Sequence, residues 1–216
     1  MPHHVVPDAQ LLLASGCIHC PVVLAGLAEL VKDGKIGRLE VINIGQHPEL
    51  AASLGVRGVP WIRIGPFELT GAHSQSELAD WAARAGDADG IREYLSGSLE
   101  SGELDRVIAA CRRSPELLPP LVALAGDLET PFAVRIGVGA VLEDLATEGL
   151  TSGLVEDITE LSTSPHAQIR ADAAHFLGLT GARQARARLE QLTGDEDAEV
   201  REIAAESLAE LATTQE

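Results

Sequence analysis

The chain has 216 residues and a mass of 22.7 kDa, too long for one minimal domain and enough for two small ones. Hydrophobic residues make up 45% and aromatics only 3%, so packed cores are expected, built from Leu, Val, Ile and Ala. Charge is unevenly spread: residues 1–86 hold 6 basic and 8 acidic side chains, whereas 87–216 hold 10 and 25, with no Lys after Lys35. Such a surface repels phosphates and anionic lipid, so neither nucleic acid nor a membrane is an expected partner.

No run approaches the roughly 20 apolar residues of a membrane span. Met1-Pro2-His3-His4 lacks a basic segment followed by an apolar one, so no signal peptide is expected. Three cysteines do not make a disulfide framework, and the expected compartment is the cytoplasm. His3-His4 alone is too thin a ligand set for copper or nickel to be expected.

Gln10–Ala14 is a continuous apolar run, as in a strand covered on both faces. Pro21–Lys32 places Val23, Leu24, Leu27, Leu30 and Val31 at helical spacing. Arg38–Ile44 alternates as a second strand, and Pro48–Leu54 is a short helix stopped at Gly55. Trp61–Ile64 and Phe67–Thr70 form a hairpin through Gly65-Pro66. Ser74–Ala85 closes the unit as a helix, with Ser74 and Glu77 in capping-box spacing. The order βαβαββα predicts an α/β sandwich over residues 1–86.

Residues 86–90 read as a linker, and 87–103 as linker or first helix. From 104 to 216 the pattern is helical and repetitive. Residues 167–178 align with 198–209 at an offset of 31, with five of the 12 positions identical. A fainter copy begins at Phe132, so Arg135, Arg170 and Arg201 recur at one repeat position. Second helices are expected at Leu150–Leu161 and Ala182–Leu192, and an earlier pair at Leu104–Cys111 and Glu116–Leu124, where Pro119-Pro120 interrupts. Each pair buries its apolar face only by stacking on its neighbours. With its acidic turn, Val-Arg, Ala-Ala and Leu, Asp195–Leu208 resembles bacterial HEAT-like repeats. The repeated arginines pair within the array or recognise an anion. The acidity is a solvated face or a surface for a basic partner.

Cys17-Ile18-His19-Cys20 follows the first strand and opens the first helix. A thiol there meets the positive end of the helix dipole and free backbone N–H groups, which favour the thiolate. Cys17, the earlier and more exposed sulfur, is the attacking thiol and Cys20 the resolving one, two residues apart and within disulfide reach. The motif alone also fits half a zinc site, but structural zinc takes four ligands and only Cys111 remains as a further thiol. Cys111 lies in an apolar helix, as a core residue or a second redox partner.

Some 40 residues after Cys20 comes Gly58-Val59-Pro60-Trp61, with a proline at a strand start, where its bond can be cis. The run from Asn43 to Pro60, followed by Gly71-Ala72, Ser74 and Leu78, resembles thioredoxin over roughly residues 8–86. Pro21 after Cys20 also resembles the thioredoxin-like N-terminal domain of the alkyl hydroperoxide reductase flavoprotein. The resemblance implies that Val59 and Pro60 offer backbone and an apolar face to a substrate beside Cys17, and that Gly71 leaves room on the rim. Trp61 lines this groove or faces the core.

Three departures are visible. Gly16 stands where thioredoxin has Trp, Ile18-His19 replaces Gly-Pro, and Leu11 and Val41 stand where the family has a buried acid and its Lys partner. Proton transfer from Cys20 then needs another route, water or His19, which is a modulating or merely exposed residue or else a general acid. The expected function is thiol–disulfide exchange on a protein client with a disulfide or dithiol. The HEAT-like repeats dock that client, a separate reductase or dithiol supplies electrons, and no cofactor is bound. The alternatives are a non-enzymatic adaptor or assembly chaperone, and a redox-switched binding protein.

Overall fold

A computed structural model describes residues 6–213, so His3-His4 lies outside the described residues. Two compact units divide between Ile91 and Arg92. In the first, β1 (Ala9–Leu13), α1 (Cys20–Lys32), β2 (Leu39–Asn43), α2 (Pro48–Ser53), β3 (Trp61–Ile64), β4 (Phe67–Thr70) and α3 (Gln75–Arg84) follow the expected order. The sheet runs β2-β1-β3-β4, with β1 parallel to β2 and antiparallel to β3, and β3 antiparallel to β4.

Strand side chains alternate between faces. One face aligns Ala9 and Leu11 of β1 with Ile62 and Ile64 of β3 and Leu69 of β4. These join Val23, Leu27 and Leu30 of α1 and Leu78 and Ala82 of α3 in one core. Each fully buried Leu or Ile there contributes roughly 1.5–3 kcal/mol relative to exposure. At Gly26 α1 approaches α3 closely: a Cβ would lie 3.3 Å from Leu78. Helix α3 begins with a complete capping box, the Ser74 hydroxyl accepting from Glu77 N–H and the Glu77 carboxylate accepting from Ser74 N–H.

The stretch read as a linker is where α4 (Ala88–Glu100) begins. Asp87 accepts from the Gly90 N–H at 3.0 Å, a side-chain cap that offsets the poor helix propensity of Gly90. Beyond it come α5 (Leu104–Arg113), α6 (Leu118–Ala125), α7 (Phe132–Ala146), α8 (Val155–Leu161), α9 (Ala167–Leu179), α10 (Ala185–Leu192) and α11 (Ala198–Thr213). Pro119 falls in the first turn of α6, where a missing N–H costs nothing. Helices α5 and α6 pack on α7, α7 and α8 on α9, and α9 and α10 on α11. Gly178 lets α9 and α11 close, since a Cβ there would lie 2.8 Å from Ser207 Cβ. No helix among the described residues is long and apolar enough to cross a membrane.

Arg170 donates from Nε and Nη2 to the Asp195 carboxylate at 2.9 and 2.8 Å, and from Nη1 to the Ser164 and Pro165 carbonyls. Arg201, one repeat on, donates to the equivalent Asp195 and Glu196 carbonyls. Arg170 and Arg201 thus staple their own inter-helix turns, and Arg170 also grips the next, whereas Arg135 pairs with Asp172 of α9.

Candidate functional site

The sheet gathers three loops at one end. β1 ends at Leu13 and leads into Gly16-Cys17. β3, antiparallel to it, starts at Trp61 opposite Leu12, so Val59-Pro60 enters at that same end. β4 leaves there too, with Trp61 opposite Thr70, and Gly71 N–H donates to the Pro60 carbonyl at 2.9 Å. The end of β2 is tied in by Asn43, whose amide donates to the Ser15 hydroxyl at 3.3 Å. The Val59–Pro60 peptide bond is cis.

Within the first loop, the Cys17 N–H donates to the Ala14 carbonyl, and His19 caps α1 with its backbone carbonyl accepting from Val23. Cys17 and Cys20 are joined in a disulfide with Cα atoms 5.5 Å apart, inside the usual range. Cys17 is half-buried and Cys20 buried. The Cys20 backbone N–H donates to Cys17 Sγ at 3.1 Å. A donor aimed at that sulfur at a helix entry stabilises negative charge on it.

The neighbours divide by exposure. Ile18 is 81% exposed, and His19 and Gly16 are exposed as well. A Cβ at Gly16 would meet nothing within 4 Å, so space does not dictate the absence of a larger residue. Gly71 also has open space, but its φ of +93° is a conformation that favours glycine. Val59 is half-buried and Pro60 buried. Trp61 is buried on β3, with the Arg63 guanidinium 6.0 Å from its ring centre, so its ring is not presented on the surface. Leu11 is fully buried in the core and pairs in register with Val41, which is partly exposed; neither offers a titratable group.

One surface residue escaped the sequence reading. Val22 is 67% exposed on the first turn of α1, one helical turn after Ile18. Its signal was an apolar side chain off the buried Val23–Leu27–Leu30 stripe. Cys111 is buried in α5 with Val107 and Ala110, and burial pushes its thiol up to about 12. Among the described residues no group of three or more His, Cys, Asp or Glu side chains converges as a metal site. Two cavities of about 400 and 300 Å³ lie in the helical unit, and neither is lined by the dithiol loop.

Residues 8–83 match the family model described as thioredoxin domain, and residues 155–216 match that described as HEAT repeats. The chain therefore carries a thioredoxin domain with a Cys17–Cys20 pair, followed by C-terminal HEAT repeats. No curated protein gives a significant match.

Proposed function

We propose that the chain is a protein thiol–disulfide oxidoreductase whose helical repeats hold the client. The observation that carries it is the Cys17 sulfur at the entry of α1, accepting the Cys20 N–H while Cys20 lies buried behind it. In the reducing direction, thiolate Cys17 attacks one sulfur of the client disulfide. A Cys17–client bond forms, the client's S–S bond breaks, and one client thiolate leaves and takes a proton. Cys20, deprotonated by water or His19, then attacks Cys17 Sγ and releases the second client thiolate. Two electrons pass to the client and the Cys17–Cys20 disulfide remains. A separate reductase or dithiol restores the dithiol, and the reaction runs backward where the client dithiol is the stronger reductant.

The exposed Ile18 and Val22 give the client an apolar footing beside Cys17, and Val59-Pro60 at the same sheet end supplies backbone. Tethering a client on the repeats raises its effective concentration at the dithiol. The cytoplasm is the proposed compartment.

Leu11 at the acid position favours a second reading, in which the thioredoxin domain is a binding module and the chain an adaptor. The couple's reduction potential, read by alkylation and mass in dithiothreitol or glutathione buffers, separates the two. A reversible two-electron transition is expected. A value near about −270 mV assigns a reductase, and one near about −120 mV an oxidant. The absence of any such transition overturns the enzyme and leaves the adaptor.

A further inference from the structure

Helix α7 leaves two large apolar side chains uncovered: Phe132 is 71% and Ile136 57% exposed, one turn apart. They border a groove of about 300 Å³ against α9, with Phe176 on its far wall. Arg135 also lines it. Its side chain is only 9% exposed and its Nη2 pairs with Asp172, yet its buried Nε has no hydrogen-bond partner.

The repeat accounts for that spare donor. In the next unit, Arg170 places both Nε and Nη2 on the Asp195 carboxylate. Ser164 lies 31 residues before Asp195 and holds the same place in its turn, since each side chain accepts from the backbone N–H two residues on. Where Arg135 would meet a carboxylate, the chain has Ser164. That donor is sealed from solvent, so what the groove offers a partner is its uncovered apolar wall of Phe132 and Ile136.

We propose that the α7–α9 groove docks a segment of the client protein that sets an apolar side chain against Phe132 and Ile136 and carries flanking Lys or Arg. This rests on the client-docking part of the proposed function and gives it a place and a chemistry. The flanking charge follows from the acidic surplus of the helical half, where residues 87–216 hold 25 acidic side chains against 10 basic ones. An anionic segment meets repulsion here, and so does a second copy of this chain, whose net charge is −17.

The test uses the full chain and three fluorescein-labelled 12-residue peptides, of Leu and Lys, Leu and Glu, and Ser and Lys, with affinity read by anisotropy. Saturable binding of the Leu/Lys peptide alone is expected. Phe132→Ser and Ile136→Ser should each weaken it about ten-fold or more. Leu128→Ser, 46% exposed and outside the groove, should leave it unchanged. Gly139→Met fills the groove without removing an apolar group: a Cβ there meets only the Phe176 ring, at 3.8 Å. It should abolish binding in a folded protein. No saturable Leu/Lys binding, equal binding of either other peptide, or indifference to Phe132→Ser and Gly139→Met overturns the proposal. So does a wild-type dimer that Phe132→Ser dissociates, because the occupant is then a second copy. Reduction of hydroxyethyl disulfide on the same samples separates the two proposals. Turnover without peptide binding removes the docking site alone; peptide binding without turnover removes the oxidoreductase alone.

Discussion

Cys17 and Cys111 carry the same side chain in opposite settings. Cys17 is half-buried at the entry of a helix with an N–H directed at its sulfur. Cys111 is fully buried among aliphatic side chains, and desolvation of its charged form pushes its pKa to about 12. At pH 8 only on the order of one Cys111 thiol in 10⁴ is ionised, and alkylating reagents attack thiolates. After reduction, native protein treated with iodoacetamide at pH 8 should therefore label at Cys17 within minutes. Cys20 should follow slowly, and Cys111 should label only after denaturation. Rapid native labelling of Cys111 would mean that its helix opens, and would return it to the list of redox partners. Cys111→Ser should leave disulfide turnover unchanged. The motif itself was legible, because residue type, spacing and position after a strand all sit in local sequence. The setting of Trp61 was not, since a strand aromatic faces groove or core according to partners far away in the chain.

At the scale of elements, the repeat was legible where an offset of 31 residues kept Val-Arg in phase. It was obscured where prolines and glycines masked good helices. Pro119 reads as a breaker until α6 is seen to begin beside it, and Gly90 as a linker until Asp87 caps the start of α4. What the offset could not convey is the work of each arginine, because that depends on the turn in the following unit. Arg170 and Asp195 are both about nine-tenths buried, and the guanidinium holds the Asp195 carboxyl below its ordinary value of 3.8. Arg170→Ala should destabilise the protein by about 3 kcal/mol, because it strands a buried carboxylate and frees two turn carbonyls. The pair's contribution is fully present above the ordinary aspartate pKa. It declines as pH falls below that value and is lost once pH passes the lower native one. Denaturant titrations from pH 7 to pH 2 should thus show wild type and Arg170→Ala converging at the acid end. A gap that stays constant over that range would show that packing, and not the ion pair, carries the arginine's contribution.

At the scale of the molecule, charge is what the two halves do not share. Residues 1–86 are nearly neutral, whereas 87–216 carry 25 acidic side chains against 10 basic ones. A field of that sign gathers cationic chains and turns anionic ones away, whatever happens at the sulfurs. It leaves an uncharged small disulfide indifferent. The dithiol should therefore be selective among clients even if its own groove is not. Two 20-residue peptides with identical internal disulfides, one flanked by Lys and one by Glu, make the comparison. At 25 mM NaCl the Lys peptide should be reduced with a kcat/KM on the order of ten-fold higher. At 500 mM, where screening shortens the reach of exposed charges to a few Å, the two should converge. Hydroxyethyl disulfide should be reduced at the same rate throughout. Preference for the Glu peptide, or a ratio that ignores salt, would mean that client selection arises at the Cys17 loop through Ile18 and Val22, with the acidic repeats serving solubility alone.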